Sequence, residues 1–485
     1  MDNSYRELDY EPVTRKPRAC ADEADDAKWP HRVDAWADEN APREKTTQMP
    51  VSHSAPAAGS EGKVLRRGHV FSFIGLVLFT IVMYLRPYQY SEALIHIQFP
   101  LIIAVATLAI FIPAQLGLEG TLTTRPREVN LLLLLLLMSL LSIPLGYDPE
   151  ASFQSFKDFS KFAIIFIILV NVVRTERRLR QMLHLALSIA FILCVIALSD
   201  YHQGNLTIEG YRVRGGIARG FFEDPNDLAS YLVTMMPIAF ALGLGARGGI
   251  RKIIYGACVL LCLSTIIITF SRGGFLGLMA VTMTLVWKFG RRQRFTACAV
   301  AAFALLLLAI LAPGNYWMRL ASIFIPGLDT LGSAAARSQL LKQSIIVSLR
   351  HPLLGIGMGN FKNVSMGDHV THNAYTQVSA ETGMIALAAY VMFIVAPLKR
   401  LRGIEEELFD DAKRERRFYY LAIGLQASLV GYMVSSFFIS VAYYPMIYYL
   451  VGYAICFRRI YESAKAEKNL IAKKSLGSAS LVQSS

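Results

Sequence analysis

Twelve apolar runs follow one another between Val70 and about residue 457, each near the length that crosses a bilayer. They lie at about 70–86, 98–118, 129–146, 161–173, 181–199, 228–246, 252–271, 273–289, 295–313, 376–398, 418–438 and 441–457. A spanning helix needs about 20 apolar residues, with a range of about 17–25. In lipid a backbone must satisfy its own polar groups, and a helix does so within one segment. The expected fold class is therefore all-α. It is a polytopic integral membrane protein with about 12 transmembrane helices. Composition agrees: 54% of residues are hydrophobic and only 18% are charged, with a mean hydropathy of +0.40.

The charge pattern orients these runs. Basic residues cluster at Arg66/Arg67, Arg125/Arg127, Arg174 to Arg180, Arg247 to Lys252, Lys288 to Arg294, Lys399 to Arg417 and Arg458/Arg459. With twelve spans, all of these fall on one side, which the positive-inside rule makes cytoplasmic. Both termini are then cytoplasmic too. The net charge of +13 follows from these loops and gives no reason to expect a nucleic-acid partner. The large loop at 314–375, and a second at 200–227, are extracytoplasmic.

Residues 1–68 are polar, mixed in charge and without an apolar run, so they read as a disordered cytoplasmic tail. The membrane domain covers 69–460, and 461–485 reads as a second cytoplasmic tail. Six cysteines show no paired C-x-x-C spacing, so neither a disulfide framework nor a metal site is expected.

Several arginines contradict the topology rule. Arg272 stands in the tight turn S-R-G-G (271–274) between two spans, on the outer side. Arg212, Arg214 and Arg219 share the loop 200–227, and Arg337 lies in the loop 314–375. A cation buried at mid-membrane costs roughly 2.5–3.5 kcal/mol on insertion scales, so an anion is the expected compensation. The bland alternative for Arg272 is a turn residue that snorkels to the interface. In the functional reading, Gly273 and Gly274 let a ligand approach the backbone closely.

Other stretches have two readings as well. In RGFFEDPNDLASYLV (219–233), Pro225 suits a first helical turn, and Asp224, Asn226 and Asp227 suit capping. In the functional reading, Arg219, Glu223 and Asn226 stand at a helix N-terminus that attracts anions. ARSQLLKQSIIVSLR (336–350) is amphipathic, with Leu340, Leu341, Ile345 and Leu349 as its stripe, and is expected to lie flat on the outer leaflet. HPLLGIGMGNF (351–361) carries a G-x-G-x-G without a preceding strand, so its glycines shape a compact loop. In THNAYTQVSAETG (371–383), Thr371 and Asn373 suit capping. His372 stands at a helix N-terminus, where the dipole disfavours imidazolium and leaves a base able to take a proton. Glu381 is an intramembrane acid with either a functional or a packing role.

Taken in order, G-F-F-E-D-P-N-D-L-A (220–229), S-R-G-G (271–274), R-S-Q (337–339), H-P-L-L-G-I-G-M-G-N-F (351–361), H-N-A-Y (372–375) and E-T-G (381–383) resemble the bacterial O-antigen ligase and O-antigen polymerase superfamily. The resemblance covers roughly residues 200–398. It implies a glycosyltransferase that uses a glycan linked to undecaprenyl pyrophosphate. The acceptor hydroxyl would lie on lipid A-core, a protein or another surface glycan. It implies His372 as the catalytic histidine, with Arg272, Arg219 and Arg337 against the pyrophosphate. Arg212, Arg214, Glu223, Asn226, Asn373 and Glu381 are the candidate substrate-binding residues. Family members commonly carry N-P-N where this chain has Asp224-Pro225-Asn226. No cofactor and no metal is implied. The implied setting is the bacterial inner membrane, with the active site on the extracytoplasmic face. A polymerase of the same superfamily, and a transporter of glycans or small anions, are the competing expectations.

Overall fold

The structure is a computed structural model. It describes residues 69–90, 97–206, 212–213, 221–291, 333–365 and 367–483, with isolated positions between them. Among the described residues the chain is helical, apart from one antiparallel bridge between Leu206 and Val213. The helices are α1 (Val70–Leu85), α2 (Phe99–Glu119), α3 (Arg127–Leu141), α4 (Pro149–Val172), α5 (Glu176–Gln203), α6 (Pro225–Gly245), α7 (Gly249–Ile268) and α8 (Arg272–Gly290). They continue with α9 (Ser333–Arg350), α10 (Phe361–Val364), α11 (Ala374–Thr382), α12 (Met384–Glu407), α13 (Arg416–Ser435) and α14 (Pro445–Gln483).

Seven helices among the described residues are long and apolar enough to cross a membrane. They are α2, α5, α6, α7, α8, α12 and α13. The all-α class agrees with the sequence reading. Of the twelve expected runs, 295–313 lies outside the described residues, as do the tail 1–68 and much of the loop 314–375.

One boundary differs from expectation. The apolar run 376–398 is not one helix but two, α11 and α12, broken at Gly383. Gly383 has φ 91°, and a Cβ there would fall on the Leu353 carbonyl oxygen. Glycine alone takes that conformation without strain. The stretch 461–485, read as a tail, is the continuation of α14 as far as Gln483.

Helix starts follow local chemistry. Asp148 caps α4 by accepting from Ala151 N–H at 3.1 Å, with Pro149 in the first turn. Thr175 caps α5 through Arg178 N–H at 3.2 Å. Each cap satisfies a donor that the helix leaves free, and is worth about 0.5–2 kcal/mol.

The centre of the bundle is α6. In its apolar window 83% of residues are buried inside the protein, against 22–67% for the other six spans. Small residues let its neighbours approach. A Cβ on Gly274 of α8 would lie 2.7 Å from the Ala229 Cβ, and one on Gly431 of α13 would lie 2.9 Å from Val233 Cγ1. Ser428 Oγ donates to the Thr234 carbonyl at 2.7 Å, and the Ser230 and Ser435 hydroxyls meet at 2.8 Å. Close backbone approach and interhelical hydrogen bonds hold membrane helices together, where burial from water does not.

The glycine-rich loop 351–360 is a clasp. Ile356 N–H donates to the Ala380 carbonyl at 2.9 Å, and Gly357 N–H to the Glu381 carbonyl at 3.0 Å. On the other side, Tyr147 N–H donates to the Ile356 carbonyl at 2.9 Å, and Asn360 Nδ2 to the Ser152 hydroxyl at 2.9 Å. The loop therefore ties the start of α4 to the end of α11, in keeping with its reading as a compact structural loop.

Gly383→Ala should destabilise the protein by roughly 1–3 kcal/mol or more, the cost of a strained backbone position. Thermal unfolding in detergent would measure this. Gly403→Ala, where a Cβ meets nothing within 4 Å, is the matched control and should be near neutral.

Candidate functional site

At one end of the bundle, three chain stretches meet at Asn226. Asp224 caps α6, its Oδ1 accepting from Asn226 N–H at 2.7 Å and from Asn226 Nδ2 at 2.8 Å. Asn226 Oδ1 in turn accepts from the Ser271 hydroxyl at 2.8 Å and from an Arg212 terminal nitrogen at 3.0 Å. Arg212 Nε also donates to the Thr269 carbonyl at 3.1 Å. Arg212, Asn226 and Ser271 are all buried. A buried guanidinium is tolerated only when its donors find acceptors, and this network supplies them. Through these bonds Arg212 braces the junction, and Asn226 is its knot.

The brace positions Arg272. Residues 269–271 make the turn from α7 to α8, with Phe270 in the left-handed region at φ 50°. Ser271 caps α8 by accepting from Gly274 N–H at 3.1 Å. Arg272 is the first helical residue and is half-buried. The adjoining glycines do not open the backbone to a ligand. A Cβ on Gly273 would lie 2.9 Å from Phe438 Cβ, and Gly274 is closed by Ala229. Their small size serves helix packing, which corrects the expectation of ligand approach.

His372 stands two residues before α11, with φ 52°. Asn373 is the cap, its Oδ1 accepting from Tyr375 N–H at 2.9 Å and Thr376 N–H at 3.1 Å. Its Nδ2 is buried with no hydrogen-bond partner among the described residues. A buried amide nitrogen beside His372 thus has a hydrogen to donate. Thr371 Oγ1 meets the Ser440 hydroxyl at 2.9 Å. Ser440 lies two residues from Phe438, the residue against Gly273. The segment 436–440 therefore touches both the His372 and the Arg272 neighbourhoods.

Electrostatics also draw these groups together. Burial, and then the Arg337 guanidinium, lower the His372 pKa to about 4. His369 acts in the same sense, and the Asp224 carboxylate opposes them. The α9 arginine, the α6 cap and the α11 histidine therefore share one field, although 148 residues separate Asp224 from His372. At neutral pH the imidazole is uncharged and can accept a proton.

The remaining candidates separate. Glu223 is exposed beside the α6 cap. Glu381 is 4% exposed and accepts from Phe361 N–H at 3.4 Å. Burial raises its pKa to about 7, against the backbone N–H groups of Gly359 and Phe361. Its place is inside the glycine clasp, in keeping with the packing reading. Arg214 and Arg219 lie outside the described residues. In α9, Leu340, Ser344 and Ser348 turn inward, and the Ser348 and Ser379 hydroxyls meet at 2.7 Å. Ile345, Ile346 and Leu349 are exposed, so only part of the expected apolar stripe packs against the protein.

One cation escaped the sequence reading. Arg86, just after α1, lies over the Phe221 ring at 4.6 Å. Phe221 in turn packs on Tyr444 at 5.0 Å between ring centroids. Tyr444 feels both Arg86 and the Asp224 and Asp227 carboxylates. Arg86 is thereby close to the α6 cap. The signal was available, since an arginine ending the first apolar run on the outer side violates the same charge rule as Arg272.

Residues 257–391 match the model of the family described as O-antigen ligase. The match contains Arg272, Arg337, His372, Asn373 and Glu381 and stops short of the α6 cap on its N-terminal side. No curated protein matches the chain.

The His372 ring should titrate near pH 4 rather than at the ordinary 6.5. Diethyl pyrocarbonate attacks only neutral imidazole, so modification of the His372 peptide, followed by mass spectrometry, should persist to about that pH. In Arg337→Ala the midpoint should move upward, because a cation that disfavours imidazolium is gone. The same depression makes the fold lose stability as pH falls from 6.5 towards 4, since the unfolded chain takes the proton first.

Proposed function

Because the chain carries an O-antigen ligase family domain over residues 257–391, we propose that it is a membrane glycosyltransferase of ligase type. It moves a glycan from undecaprenyl pyrophosphate to a hydroxyl acceptor on lipid A-core, a protein or another surface glycan. The observation that carries this reading is the convergence of His372, Arg337 and the α6 cap in one field, with Arg272 held next to that cap. The charge pattern of the loops supports the bacterial inner membrane, cytoplasmic termini and a site on the extracytoplasmic face.

The chemistry follows from the groups present. The donor's pyrophosphate lies against Arg272, Arg337 and Arg219, whose planar guanidinium groups match phosphate oxygens in pairs. His372 takes the proton of the acceptor hydroxyl. That oxygen bonds to the anomeric carbon while the bond from anomeric carbon to phosphate oxygen breaks. The electron pair of that bond leaves with the lipid pyrophosphate, where fixed cations stabilise it. A bound diphosphate would also offset the Arg337 charge and raise the His372 pKa, making it a better base once the donor is seated. The unpartnered Asn373 Nδ2 is a donor for a substrate oxygen at the same place.

Arg272→Ala should lower turnover by on the order of 10²–10³, the usual loss for one transition-state donor, while the protein still inserts. Transfer from a lipid-pyrophosphate glycan by purified enzyme would measure it. Near-normal transfer would remove Arg272 from the mechanism. Loss of the gene distinguishes the ligase reading from a polymerase of the same superfamily. Long, unattached lipid-linked chains mark a lost ligase. Single repeat units still joined to acceptor mark a lost polymerase.

A further inference from the structure

The opposite end of the bundle holds a second charged feature. There the first turns of α5, α7 and α13 meet the end of α6. Arg416 donates to the Leu244 carbonyl at 3.0 Å, and Arg417 pairs with Glu176 at 3.5 Å. A cavity of about 250 Å³ at this end is lined by Arg180, Arg247, Arg251 and Arg417. Glu176 is the one carboxylate among its lining residues, and it already pairs with Arg180 as well as Arg417. Four guanidinium groups against one carboxylate leave a surplus of three positive charges at the mouth.

Two apolar cavities flank this mouth. One of about 680 Å³ runs between α6, α7 and α8, past Met236, Phe240, Leu260, Leu263 and Leu278. The other, of about 770 Å³, runs along α5 and α7, past Leu187, Phe191, Ile192 and Ile254. Tyr255 lines all three, and its hydroxyl meets His184 Nε2 at 2.7 Å. Both apolar cavities are open grooves, with Phe191, Ile192, Ile254 and Leu260 exposed along them, and within a bilayer they offer an apolar surface. Hydrocarbon chains suit it, and the cations between the two cavities suit a phosphate.

We infer that this end of the bundle is a binding site for an anionic diacyl phospholipid, its phosphate on Arg180, Arg251 and Arg247 and one acyl chain in each flanking cavity. The site is separate from the His372 site and does not rest on the proposed activity. Basic pockets between membrane helices on the cytoplasmic side bind such headgroups, and the loop charges assign this end to the cytoplasm. A free phosphate would use the mouth and leave both apolar cavities unused, so the lipid accounts for more of what is built here.

The test uses the full-length protein in detergent, exchanged against phosphatidylglycerol or phosphatidylcholine, with retained lipid counted by native mass spectrometry. Phosphatidylglycerol should be retained at least about tenfold better than phosphatidylcholine. The double variant R180E/R251E should lose that preference. Ser188→Trp, which fills the apolar cavity along α5 without touching charge, should lower retention of phosphatidylglycerol as well. Should the charge variant fail to fold, Ser188→Trp and the lipid preference of the wild type decide the matter. Equal retention of the two lipids, or unchanged retention in Ser188→Trp, would overturn the site. Displacement of phosphatidylglycerol by millimolar inorganic phosphate would overturn its assignment to a lipid.

Discussion

The close contact of α6 with α8 and α13 is the constraint from which the rest of the site follows. It is made by residues with almost no side chain. Gly274 admits Ala229, Gly277 admits Ser435 and Val233, and Gly424 admits the Pro237 carbonyl. Because lipid tails are as apolar as leucine, such helices gain little from hiding side chains, and packing distance decides whether they associate. Once α6 and α8 approach this closely at Gly274, their N-termini lie side by side. Asn226 can then reach Ser271, and Arg272 is placed at the junction. The polar network at the end of the bundle is a result of the small residues packed beside it.

The site is assembled from parts that are themselves differently anchored. Arg272 depends on helix packing and on the Arg212–Asn226–Ser271 network. His372 depends on the cap of α11, whose far end is gripped by the glycine clasp and separated from α12 at Gly383. Arg337 depends on α9, held to α11 through the Ser348–Ser379 contact. The histidine and the α9 arginine therefore sit on a small unit set upon the membrane helices, while Arg272 belongs to the bundle itself. A substrate lying between them would touch both.

Much of this was legible in the sequence, and for physical reasons. Apolar runs report helices directly, because lipid leaves the backbone no alternative. The caps at Asp224 and Asn373 were visible because capping is local chemistry between residues two or three apart. Arg272 stood out because a charge in an apolar field is costly. What sequence could not give was pairing at a distance. Nothing local distinguishes Arg212, bound to Asn226, from a cation that faces a ligand, nor Glu381, buried in the clasp, from an acid in a pathway. The break at Gly383 was hidden for a related reason. Its cause is the Leu353 carbonyl, thirty residues away, and nothing next to Gly383 in the chain reports that contact. Arg86 was missed because it closes an apolar run and so reads as a boundary.

A buried ion pair lies towards the other end of α8. Lys288 and Glu405 are 5% and 1% exposed, and Gln426 Nε2 donates to the same carboxylate at 3.1 Å. These partners lie on α8, α12 and α13, and 117 residues of chain separate the lysine from its carboxylate. During synthesis α8 emerges long before α12. For that interval the ammonium has no counter-charge from α12 and must keep to the water at the membrane surface. Final seating of α8 therefore waits on a helix made much later, so biogenesis of this bundle cannot proceed strictly one span at a time.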